Sequence, residues 1–138
     1  REDYKFEIGK GELLREGSDV TIVATGICVS SALEAADKLA ADGISAEVIN
    51  IHTIKPLDTE LIVKSAKKTG KVVTAEEHTI IGGLGGAVCE ALSEKAPTPV
   101  LRIGINDVFG ESGTAAALVA KYGLDGAGIY AKVKEFVK

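Results

Sequence analysis

The sequence predicts an α/β fold, a mostly parallel sheet with helices on both faces. Three observations carry this. Short apolar runs rich in β-branched residues recur at 20–25, 46–51, 71–75 and 100–103. Stretches with helical spacing alternate with them. Short connections marked by Gly, Pro and Asp join the two kinds. Nearly unbroken apolar runs suit strands covered on both faces. Right-handed crossovers would then bring the ends of these strands to one edge.

Taken in order, residues 1–18 are polar and short-patterned, with Phe6, Ile8, Leu13 and Leu14 around Gly9-Lys10-Gly11. Two readings stand here: an edge hairpin, or an arm with one strand at 12–15. Gly17-Ser18-Asp19 is a turn, and VTIVAT at 20–25 is the first strong strand. Gly26 breaks it. The next helix runs to about Asp42, with Val29, Ala32, Leu33, Ala36, Leu39 and Ala40 on its inner face. Gly43 is its expected C-cap.

AEVINI at 46–51 is the second strand, with His52 and Thr53 at its end. Asp58 then caps a helix, and Leu57 packs on Ile62 as a hydrophobic staple. Lys64, Lys67 and Lys68 read as a solvated helix end, complementing the dipole before Gly70. A strand at 71–75 leads into Glu76, Glu77 and His78, read as a polar turn. Gly82, Gly83, Gly85 and Gly86 follow, glycines that permit a sharp turn or a close approach. A helix starts at Leu84, with Val88, Ala91 and Leu92 on its inner face, and ends at Pro97-Thr98-Pro99. A strand at 100–103 precedes the loop NDVFGESG at 106–113, which exposes Phe109. A short helix at 114–121 ends at Gly123. Asp125 caps a final helix with Ile129, Val133, Phe136 and Val137 inward.

Composition excludes several functions. With 46% hydrophobic residues, the 138-residue chain can build a core. No apolar run approaches the ~20 residues of a membrane helix, and no basic region followed by an apolar stretch is visible. The net charge of −4 is interspersed and aromatics are 4%, which leaves no electrostatic footprint or stacking platform for nucleic acid. Cys28 and Cys89 fit no zinc or redox spacing. They read as small buried thiols, although Cys28 at a helix N-terminus would favour a thiolate. Free thiols suit a reducing compartment, so cytoplasm is the expectation. The sequence starts with Arg1 and has no methionine, and is expected to be processed or cut from something longer.

The carboxyl edge of such a sheet is where ligands or partners meet it. It would gather Thr25 and Gly26, His52 and Thr53, Glu76 to Thr79, and Asn106 and Asp107. An acid/base pair of His78 with Glu76 or Glu77 is conceivable there. No nucleophile motif accompanies it, and neighbours on a strand point to opposite faces. A metal held by His52, His78 and a glutamate would need ligands from two strands. Gly83 to Val88 imitates a dinucleotide fingerprint, but starts seven residues after the expected strand end and finishes on valine. Close packing of backbone against another element, or another domain, explains these glycines better.

The same residues carry a family likeness. KVVTAEEHTIIGGLGGAVCEAL resembles the final domain of transketolases and related thiamine-diphosphate enzymes. DYKFEIGKGELLREGSDVTIVATG looks like the segment entering that domain. VINIHTIKPLD looks like its strand-loop-helix, shared with deoxyxylulose-phosphate synthase and the beta subunits of 2-oxo-acid dehydrogenases. RIGINDVFGESG looks like the transketolase form of the last strand and loop. The likeness is greatest to transketolases encoded as two sections.

The resemblance implies a three-layer α/β/α domain at 12–138, preceded by a lead-in at 1–11. Its mixed sheet would have about five strands, the first antiparallel. The parent enzyme would move two-carbon ketol units between sugar phosphates, in the pentose phosphate pathway, with thiamine diphosphate and a divalent metal such as magnesium. The family's GDG-and-asparagine motif is absent, as is the domain that supplies the activating glutamate. The resemblance therefore implies no catalytic, cofactor-binding or metal-binding residue in this chain and no activity for it alone. It implies instead a domain that packs on the pyrimidine-binding domain, beside the diphosphate-binding domain, in a homodimer or a split-subunit heterotetramer. The contact candidates are Glu77, His78, Gly82, Gly83, Gly85 and Gly86, then His52, Thr53 and Phe109. A buried structural role is the competing reading for His52. The competing functions are the same domain of another thiamine-diphosphate enzyme, a stand-alone Rossmann-like nucleotide module, and a pure interaction module.

Overall fold

The computed structural model describes residues 9–26, 28–79, 83–105 and 123–138. Strands β1 (Glu12–Arg15), β2 (Val20–Ala24), β3 (Ala46–Asn50), β4 (Val72–Thr79) and β5 (Val100–Ile105) form one sheet in the order β1-β3-β2-β4-β5. β1 pairs antiparallel with β3, and the other pairings are parallel. The segment with two readings is thus a single antiparallel edge strand, with a register shift between Leu13 and Arg15.

The period-2 alternation of the strands sorts side chains into two cores. Val20, Ile22, Val48, Val73 and Ile103 meet helices α1 (Cys28–Ala41) and α4 (Gly126–Phe136). Val23, Ile49 and Val72 meet α2 (Thr59–Thr69) and α3 (Leu84–Lys95) on the opposite face. The result is the expected three-layer α/β/α unit.

Helix ends follow local chemistry. α1 ends in a Schellman motif. Ile44 N donates to Leu39 O at 2.9 Å and Gly43 N to Ala40 O at 3.0 Å, with Gly43 at φ +79°. Asp58 caps α2 through Leu61 N at 3.3 Å, and its other oxygen accepts from Gly11 N at 2.8 Å, which ties the β1 entrance to this helix. Leu57 packs on the cluster that holds Ile62, as a staple requires. Gly70 closes α2 at φ +78°. Asp125 caps α4 through Gly128 N at 2.8 Å.

Several expectations need correction. β4 runs through Thr79, so Glu76, Glu77 and His78 belong to the strand rather than to a turn. Its pairing with β5 shifts between Ala75 and Thr79. β5 likewise extends to Ile105. Ala32, Ala36 and Leu39 of α1 are buried as expected, but Ala40 is exposed and Ala35 is buried, so the inner face widens toward Ala35 rather than Ala40. Lys68 is not merely solvated: it pairs with the carboxylate of Glu47. The expected helix at 114–121 lies outside the described residues.

Candidate functional site: the carboxyl edge and the start of α3

β2 and β3 end side by side, with Ala24 opposite Asn50. Beyond them Thr25, Gly26, Val29, Asn50, Ile51, His52 and Ile54 line a cavity of about 480 Å³. His52 is exposed, with its Nε2 3.4 Å from Asn50 Nδ2, so the buried structural reading of this histidine fails. Thr53 is half-buried beside it. Ile54 also borders a second groove, of about 560 Å³, between the entrance to α2 and α3. Lys55, Leu57 and Thr59 form one wall; Gly83, Gly86, Ala87 and Glu90 form the other. Among the described residues two adjoining concavities thus start at this edge, and the second continues along α3 past Ala91 and Glu94 to Lys95.

The start of α3 carries a buried polar arrangement at this edge. Gly83 precedes the helix and offers no capping side chain. Glu76 takes that role from the neighbouring strand. It lies on the face of β4 that meets α3, two residues beyond Thr74, and is 1% exposed. Its two carboxylate oxygens accept from Leu84 N at 2.9 Å and Gly85 N at 2.7 Å. These amides are among the four that a helix start leaves without partners. Both oxygens of the carboxylate are thereby engaged by the backbone of α3.

The glycines divide into two kinds. A Cβ on Gly85 would lie 2.9 Å from Arg102 Cδ, 3.0 Å from Arg102 Cγ and 3.1 Å from Thr74 Oγ1. The close approach that Gly85 permits is thus to β4 and β5 of its own domain. A Cβ on Gly86 would meet nothing within 4 Å among the described residues. Gly86 sits in the helix with its open side on the 560 Å³ groove.

Other candidates are placed as follows. The backbone of Glu77 and His78 lies in β4, and their side chains are outside the described part. Gly82, Phe109, Asn106 and Asp107 lie outside the described residues. Among the described residues no group of three or more His, Cys, Asp or Glu is arranged to hold a metal ion. Cys28 is buried where α1 starts and Cys89 is half-buried on α3, across the sheet from it. Neither forms a disulfide. No described helix is long and apolar enough to cross a membrane.

Two polar roles at the sheet are not marked by a local motif. Glu76 was legible in one respect: α3 starts after a glycine with no Ser, Thr, Asp or Asn to cap it. The other is Glu47, the one charged residue inside the apolar run AEVINI. It sits 3% exposed at the amino end of the sheet, away from the carboxyl edge.

This geometry defines a layered α/β domain whose glycine-led helix start is closed by its own carboxylate, with open grooves at the carboxyl edge. The model of the family "Transketolase, C-terminal domain" matches residues 9–129, and the chain belongs to that family. A 6-deoxy-6-sulfo-D-fructose transketolase subunit of Clostridium sp. (strain MSTE9) is 55% identical over 123 residues, 89% of this chain and 38% of that protein. A putative transketolase C-terminal section of Methanocaldococcus jannaschii is 51% identical over 138 residues, covering 99% of this chain and 43% of its own length. A 1-deoxy-D-xylulose-5-phosphate synthase of Heliobacterium modesticaldum is 50% identical over 129 residues, 93% of this chain and 20% of that protein. The solved structure described as "Split gene transketolase, inactive beta4 tetramer" superposes with a TM-score of 0.92 at 56% identity, over 98% of this chain and 44% of that one. The chain thus spans less than half the length of each of these relatives.

Proposed function

We propose that this chain is the C-terminal docking domain of a split-gene transketolase, which transfers two-carbon ketol units between sugar phosphates with thiamine diphosphate and magnesium. In this reading the domain binds neither cofactor. It packs on the pyrimidine-binding domain and supports the assembly of subunits. The observation that carries this is Gly86, which leaves a helix position open to solvent beside a groove. A glycine inside a helix costs about 1 kcal/mol relative to alanine, and among the described residues no close neighbour requires this one. The relatives described as a subunit, a section and a split-gene chain support an enzyme assembled from parts. One relative is described by a sulfonated sugar, which favours ketol transfer as the general reaction over any one pathway.

Calorimetric titration of the protein with thiamine diphosphate plus magnesium, and with NAD and ATP in parallel, tests the division of labour. Silence from all three on a cooperatively folding sample is expected. Micromolar binding of NAD or ATP would overturn it in favour of a nucleotide module. A second reading, the same domain of a deoxyxylulose-phosphate synthase, is favoured by the 50% identical relative. Deoxyxylulose phosphate formed in preference to ketol-transfer products by the assembled enzyme would select it.

A further inference from the structure

A helix N-terminus led by glycine is where α/β proteins hold phosphates and other anions, because its free amides and dipole favour negative charge. Here the chain supplies the anion. Glu76 arrives from β4, 1% exposed, and its two oxygens accept from Leu84 N and Gly85 N at 2.9 and 2.7 Å. Those are charge-assisted hydrogen bonds of normal length. Beside Gly85 lies Thr74 Oγ1, fully buried and without a hydrogen-bond partner among the described residues.

We propose that Glu76 is the built-in occupant of an anion site at the start of α3, so that removing its carboxylate opens a binding site for a small free carboxylate. The glycine pattern then resembles a phosphate loop for a physical reason: the donor geometry is retained and the acceptor is internal. The two amides select a two-oxygen anion. The Thr74 hydroxyl is a further donor on the same wall. Arg102, whose Cγ and Cδ flank Gly85, closes the side toward β5.

The test is the thermal midpoint of the native protein and of Glu76→Ala, titrated with sodium acetate at constant ionic strength. Acetate replaces the CH₂–COO⁻ that the substitution removes. Glu76→Ala is expected to melt about 10 °C below the native protein, since two buried amides lose their acceptor. Acetate should recover at least about half of that loss with saturation, consistent with stabilisation by a ligand of the folded state. The native midpoint should stay unmoved. Glu76→Gln fills the space and keeps one acceptor, so it should melt below native and ignore acetate. If Glu76→Ala shows no cooperative transition in buffer, one that appears in acetate supports the site. No rescue of Glu76→Ala, equal shifts in native and variant, or a Glu76→Gln that melts with the native protein would each overturn it.

Discussion

Glu47 accepts a 2.6 Å hydrogen bond from Ser65 Oγ across the β3–α2 interface, with both side chains buried. The same carboxylate accepts from Gly17 N at 3.0 Å and pairs with Lys68. Ser65 Oγ also lies 2.6 Å from Thr21 Oγ1, which is 2.8 Å from Thr69 Oγ1. With the Ser65 proton on Glu47, the Thr21 hydroxyl donates to Ser65. One acidic residue thus organises the amino end of the sheet, joining the β1–β2 turn, β3 and α2.

This network sets a pH dependence. Burial pushes the Glu47 carboxyl up, but the bonds from Lys68, Ser65 and Gly17 outweigh it and hold the group below its ordinary value. A carboxyl depressed by folding contributes stability that is complete above the unfolded-state value and is lost as pH falls through the folded one. Glu47→Gln should therefore destabilise the domain near neutral pH by about 2 kcal/mol, a figure reduced from that of a fully buried pair because Lys68 is half-exposed. Denaturant melts across pH should show the native–variant gap closing below the folded-state value of Glu47. A gap that persists unchanged into strong acid would contradict the assignment.

Two adjacent glycines should behave oppositely. Gly85→Ala pushes a Cβ against the middle of the Arg102 side chain and against Thr74, and should cost about 1–2 kcal/mol. Gly86→Ala meets open space in a helix and should stabilise the domain by about 0.5 kcal/mol. Chemical denaturation of both variants decides this. Equal losses would mean that the space beside Gly86 is filled.

Thr74→Val should be neutral or should stabilise by about 1 kcal/mol, because it removes a buried hydroxyl that has no partner. A loss beyond about 1 kcal/mol in the same denaturation experiment would show that the hydroxyl has a partner after all.

Much of the fold was legible because its signals are local. Buried parallel strands write themselves as β-branched runs, and Asp58, Asp125, Gly43 and Gly70 mark helix ends by their own chemistry. The antiparallel placement of residues 12–15 was not legible from those residues, since four half-polar positions suit a hairpin as well as an edge strand. It came from the family resemblance. The site was less legible. The partner of Glu76 lies eight and nine residues on, reached only when β4 and α3 pack. The anchor role of Lys68 depends on Glu47, brought beside it by the β3–α2 packing. Gly85 and Gly86 are identical in sequence terms and differ only in what stands opposite them.

Docking of this domain on the rest of a transketolase is the proposed role. Mixing the protein with separately supplied pyrimidine- and diphosphate-binding domains, thiamine diphosphate and magnesium, and following ketol transfer between sugar phosphates, checks it. Transfer should depend on adding this protein, and Gly86→Leu should lower it at least about tenfold, equivalent to ~1.4 kcal/mol, while the melting midpoint of the domain does not fall. Transfer at the same rate with Gly86→Leu, or with the protein left out, would contradict it.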